Sequence, residues 1–173
     1  MRPAAGVALE MLALALVLAS SLLVPPGLPF AIYILVAELL STYLIHCPAH
    51  FAVGSAVGIR FRSMRLGKTA LAKVLPPKMA SFARLFPILT LSTEKSSLAR
   101  VSRTKVAAMY ASGTIASVGS AMAIAAASVV FEPYPFAAAA WAIALLYLGF
   151  DALFSPRSGD IYRARIAARI LSA

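Results

Sequence analysis

Four apolar runs constrain this chain more than any other feature: residues 7–24, 28–57, 106–131 and 136–154. A helix needs about 20 residues to cross the hydrocarbon core of a bilayer, and each run meets or approaches that length. Of 173 residues, 61% are hydrophobic and 13% charged. A soluble fold of this size could not hide so much apolar side chain, whereas a bilayer serves as its solvent. Within lipid every backbone polar group needs an internal partner, and runs of this length meet that need as helices. The expected fold is mainly α: a polytopic membrane protein with about four transmembrane helices, a single integral membrane domain over 1–173. Residues 58–105 form a cytoplasmic loop with a small β element, and 155–173 a basic cytoplasmic tail.

The orientation follows from charge. All sixteen Lys and Arg residues avoid the apolar runs, and eleven lie between Gly58 and Lys105. The others are Arg2 and the group from Arg157 to Arg169, while the two opposite connections, 25–27 and 132–135, have none. This positive-inside pattern places both termini in the cytoplasm, with the plasma membrane as the expected location. A net charge of +10 invites a nucleic-acid reading. Segregation of the charges to one side points instead to lipid headgroups as the partner, and no nucleic acid is expected. Cys47 is the one cysteine, so no intrachain disulfide can form.

Along the chain, the first run follows Arg2 and has small residues, Ala19 and Ser20, near its end, as a signal peptide does. Glu10 inside it and the later spans favour a retained helix. The second run contains Glu38 and Pro48, and Pro48 is expected to kink it. Gly58 to Leu66 alternates apolar and basic residues, which is strand periodicity. Pro76-Pro77 breaks the chain, and Phe82 to Leu91, too short to span, reads as a second strand or an interfacial segment. The third run is rich in Ala, Gly and Ser, which let helices approach closely in lipid. Glu132-Pro-Tyr-Pro135 is a turn, and Tyr33, Trp141 and Tyr147 read as packing or interface anchors.

His46 and His50 are four residues apart, so on a helix they share a face. Two imidazoles at that spacing can bind one zinc ion, the geometry that H-E-x-x-H uses. The competing reading is two neutral histidines hydrogen-bonded between helices.

Three segments, in order and covering about residues 30–165, resemble the site-2 protease family of intramembrane zinc metalloproteases. His46-Cys-Pro-Ala-His50, with Gly58-Ile-Arg-Phe-Arg-Ser-Met-Arg-Leu66-Gly67 after it, resembles the family's H-E-x-x-H and its Gly-Ile/Val-x-Val strand ending in Leu-Gly. Ser102 to Ser117, with Ala111-Ser-Gly113-Thr-Ile-Ala116-Ser117, is similar to the basic lead-in and A-G-P-x-A-N stretch of the middle core helix. Asp151-Ala-Leu-Phe-Ser-Pro156-Arg-Ser-Gly159-Asp160 is similar to N-x-x-P…L-D-G, whose Asp is a zinc ligand. The resemblance implies a core of helices two to four with the first helix outside it. It also implies a zinc ion on His46, His50 and Asp160, with Asp151 as the alternative third ligand.

The departures are specific. Cys47 stands in the position of the family's Glu, the general base, and a thiol is a poor substitute for a carboxylate there. Pro48 falls inside the motif, Ser117 replaces the Asn, and Ser-Gly-Asp replaces Leu-Asp-Gly. Glu38, about two turns before His46 and rotated off its face, reads as a polar interhelix contact rather than a replacement base. Cys47 is not expected to act as a nucleophile. Asp160 has a rival role as helix N-cap of the tail, and Asp151 as an interfacial partner of Arg157. The expected function is a degenerate site-2 protease-like membrane protein that keeps the scaffold and a metal site, lacks ordinary peptidase activity and binds transmembrane protein partners. The alternatives are an active intramembrane zinc metalloprotease with an unusual base, and a non-enzymatic membrane subunit or carrier.

Overall fold

The computed structural model describes residues 1–67, 88–131 and 134–169. Its elements are α1 (Pro3–Ser20), continued by a 3-10 turn (Ser21–Leu23), α2 (Leu28–Ala56), β1 (Phe61–Gly67), β2 (Ile88–Thr93), α3 (Lys95–Leu98), α4 (Arg103–Phe131), α5 (Tyr134–Ser158) and α6 (Asp160–Arg169). Four stretches are long and apolar enough to cross a membrane: Pro3–Leu23, Leu28–Ala56, Arg103–Val130 and Pro135–Arg157. The chain is mainly helical, with four candidate membrane-spanning helices and a small antiparallel sheet. The Pro76-Pro77 break and the first part of the 82–91 segment lie outside the described residues, as do Glu132 and Pro133.

α4 is the hub, packing against α2, α5 and α6, while α1 lies along α2. Its contact with α5 is built from alanine. Ala121 and Ala125 of α4 meet Ala140 and Ala144 of α5, all fully buried, with Leu35, Met122 and Trp141 around them. In lipid there is no hydrophobic drive between helices, so close approach through small residues provides the packing. Long apolar side chains point outward instead, among them Leu9, Leu12 and Leu16 on α1 and Leu145, Leu146 and Leu153 on α5. α1 is tied to α2 by Tyr33, whose hydroxyl bonds the Val17 carbonyl and Ser20 Oγ. Of the two readings of Tyr33, packing and interface anchor, these interhelix bonds fit packing.

α2 runs through Pro48 without interruption, although the missing N–H removes one helical bond. It ends at Gly58, whose φ of 91° needs a residue without a Cβ. The Gly58 N–H bonds the Ser55 carbonyl (3.1 Å) and the Ile59 N–H reaches back to Gly54 (2.8 Å), with Ile59 buried. This Schellman closure turns the chain into β1. β1 pairs with β2, Met64 opposite Leu91 and Arg65 opposite Thr90. The start of the chain meets the outer side of β1: Met1 and Met64 exchange hydrogen bonds of 3.0 and 3.1 Å.

Replacing Ala125 by Leu forces a larger side chain into the alanine contact. It is expected to cost about 1–3 kcal/mol of bundle stability, read as a lowered unfolding midpoint in detergent.

Candidate metal centre

The site lies where two stripes of residues spaced four apart face each other. Thr42, His46 and His50 follow one another at successive turns of α2, and Met109, Gly113 and Ser117 do the same on α4. Each histidine is held by its Nδ1. His50 Nδ1 donates to the Met109 carbonyl (2.7 Å). Ser117 Oγ spends its proton on the Thr42 carbonyl (2.7 Å), so it accepts from His46 Nδ1 (3.1 Å). Both rings are therefore Nδ1–H tautomers, which leaves each Nε2 with a free lone pair.

Those lone pairs converge. His46 Nε2 and His50 Nε2 are 3.2 Å apart, and Asp160 Oδ2 lies 3.0 Å from the first and 3.1 Å from the second. The rings meet edge to face at 89°. With neutral imidazoles, three acceptors face one another with no donor between them. A cation among them, or added protons, resolves that repulsion. Donors about 2.0–2.1 Å from a tetrahedral metal stand roughly 3.3 Å apart, close to the triangle observed. His46, His50 and Asp160 form a group that can hold a metal ion. Burial alone would raise the Asp160 carboxyl, but with protons on the facing Nε2 atoms the hydrogen bonds and charge of the two imidazoles outweigh it and hold the group well below the usual carboxylate range.

Gly113 provides the room. A Cβ there would collide with His50 Nε2 and stand 2.9 Å from His46 Cε1. The Gly113-x-x-x-Ser117 pattern, which reads as small-residue packing, therefore both brings α2 against α4 and seats the imidazoles.

Asp160 arrives by a turn between α5 and α6. Ser155 Oγ accepts the Ile161 N–H (3.2 Å), and the Gly159 N–H bonds the Ser155 carbonyl (3.0 Å). The capping oxygen at the start of α6 thus comes from Ser155, and Asp160 is free to face the histidines. This corrects the N-cap reading of Asp160. Arg163, one turn on, lies over the Tyr110 ring (5.8 Å), which fixes α6 to α4.

Asp151 stays outside the three-atom group but borders the same cavity, of about 670 Å3. No ion pair joins it to Arg157 among the described residues; the guanidinium turns to the Leu153 carbonyl (3.2 Å). Cys47 also borders the cavity, and its thiol donates to the Leu89 carbonyl on β2 (3.1 Å). Tyr147, read as a packing or interface anchor, lines the cavity beside Ser117. Glu38 is fully buried outside the cavity, and its carboxyl has no hydrogen-bond partner among the described residues, so the expected polar contact is not made there. Sequence reasoning missed the Met109 carbonyl, which no side-chain pattern reveals, and Ser117 as the partner of His46.

Compared with known proteins, the chain matches no family model, no curated protein and no solved structure.

Ser117→Ala frees the His46 ring, and metal affinity is expected to fall about 10–100-fold by competition with a chromophoric chelator. Gly113→Ala is expected to abolish binding under the same conditions.

Proposed function

We propose that this chain is a membrane zinc protein of the site-2 protease type, degenerate at the position of that family's base. The observation that carries the reading is the triangle of His46 Nε2, His50 Nε2 and Asp160 Oδ2, with edges of 3.0–3.2 Å. Two imidazole nitrogens and one carboxylate oxygen suit zinc, and three protein donors leave a fourth position free. Sites that only support structure usually close all four positions with protein ligands, whereas catalytic sites keep one open. A cavity borders this group, with β2 residues Leu89 to Thr93 along one wall. When bound, zinc polarises a carbonyl and lowers the pKa of water. The residues hold and orient it: His46 through Ser117, His50 through Met109.

Site-2 protease chemistry by the usual route is lost. The base belongs next to the first histidine, and Cys47 there has its thiol bonded to the Leu89 carbonyl. The order of the three motifs supports the family reading, as does the way α2, α4 and the α5–α6 turn each supply part of the site. The basic segments support a cytoplasmic orientation of the site end of the bundle, at the plasma membrane. Transmembrane protein segments are the partners or substrates that such a site meets in a bilayer.

One observation favours a second reading. Both Nδ1–H groups hydrogen-bond across from α2 to α4, so the cluster also works as a polar staple of a non-enzymatic membrane subunit.

Metal analysis of detergent-purified protein separates the two. About one zinc per chain is expected, lost in His46→Ala, His50→Ala and Asp160→Asn. A zinc-free wild type prepared without chelators, with helix packing sensitive to either histidine, would establish the staple instead.

A further inference from the structure

We infer that Asp151 supplies the base that this site lacks beside His46, from α5 rather than α2. The inference rests on the zinc reading above and adds a catalytic residue to it.

Three groups compete for the role, and the structure separates them. Cys47 is a thiol already committed to the Leu89 carbonyl. Glu38 lies outside the cavity, buried in the α2 packing face. Among the described residues, the carboxylates that border the cavity are Asp151 and Asp160, and Asp160 is occupied with both imidazoles. Asp151 is left. It borders the same cavity as His46, His50 and Asp160, near enough for the charges of His46 and Asp160 to act on its carboxyl. It also stands beside the Ser155 hydroxyl one turn on. Ser155 Oγ accepts the Ile161 N–H, so one serine relates Asp151 to the turn that delivers Asp160. The same local structure therefore sets the ligand and the base.

The reaction this permits is hydrolysis of an amide. The water oxygen attacks the carbonyl carbon and gives its proton to an Asp151 oxygen. The C–N bond breaks, and the proton passes from Asp151 to the leaving nitrogen, giving a carboxylic acid and an amine. No oxidant or further reactant is needed. A carboxylate on a neighbouring helix does the work of one on the histidine helix, provided it reaches the same water.

The test needs no natural substrate. Acetohydroxamic acid chelates zinc as its anion, and a nearby base retains the proton it gives up. Binding is measured by calorimetry on zinc-loaded, detergent-solubilised protein, in buffers of different ionisation enthalpy. In the wild type the proton stays on Asp151 and little reaches the buffer. In Asp151→Asn, zinc content is unchanged, affinity falls about tenfold, and about one proton per site enters the buffer. A merely structural role for Asp151 would not change the proton count. Loss of zinc in Asp151→Asn would make Asp151 a ligand and overturn the proposal. Zinc retained with unchanged affinity and proton release would overturn it while leaving the zinc reading intact. A wild type without zinc would overturn both.

Discussion

Gly113 has no side chain, and two imidazoles occupy the space one would need. The rest of the site depends on that approach. With α4 this close, Met109 and Ser117, one turn to either side, present a carbonyl and a hydroxyl to the Nδ1 atoms of His50 and His46. A histidine in a membrane span is costly unless its polar atoms are met, and each meeting here also selects a tautomer. The Nε2 lone pairs point the same way because the same neighbouring helix fixes both rings.

The third donor is placed by a different device. α5 ends at Ser158 and α6 begins at Asp160, with Ser155 Oγ satisfying an N–H of the new helix. Glycine at 159 matters sterically: a Cβ there would press on Ser155 Oγ and Cα, at 2.7 and 2.9 Å. The turn is therefore tight, and it swings α6 onto α4, where Arg163 rests on Tyr110. At the end of α2 the Schellman closure at Gly58 sends the chain into the sheet, and β2 returns past Cys47 to wall the cavity. Two glycine-dependent turns thus bring the site's borders together.

Much of this was legible in the sequence, for physical reasons. Unbroken apolar runs announce helices because a bilayer permits little else. The alternation after Gly58 announces a strand, found at Phe61–Gly67. The four-residue histidine spacing needs only helical geometry to place both rings on one face. The choice between Asp151 and Asp160 was not legible, because it depends on a turn within which Ser155, not the aspartate, caps the helix. Nor were the partners of the Nδ1 atoms: one is a backbone carbonyl, and the other a serine whose spacing reads equally well as helix packing. For Tyr33 and Tyr147 the sequence left packing and interface anchoring both open, for a related reason. A tyrosine in a span is amphipathic, and its hydroxyl can seek the membrane surface or a neighbouring helix; here Tyr33 bonds Val17 and Ser20, and Tyr147 turns to Ser117.

Charge balance ties the cavity to its second carboxylate. A divalent cation held by two neutral imidazoles and one carboxylate keeps a net positive charge. In water that excess matters little, but in a half-buried cavity at the end of a helix bundle desolvation makes it expensive. With such a cation in place, Asp151, which borders the same cavity, is the second carboxylate that would offset its charge. The residue beside His46 is a cysteine, whose thiol contributes no charge. A carboxylate on α5 then meets an electrostatic demand as well as a chemical one. The two demands differ in what they require: neutralisation needs only proximity, whereas proton transfer also needs Asp151 to reach the water that fills the fourth position. Ser155, beside the Asp151 carboxyl and bonded to the start of α6, is the group placed to turn proximity into that alignment.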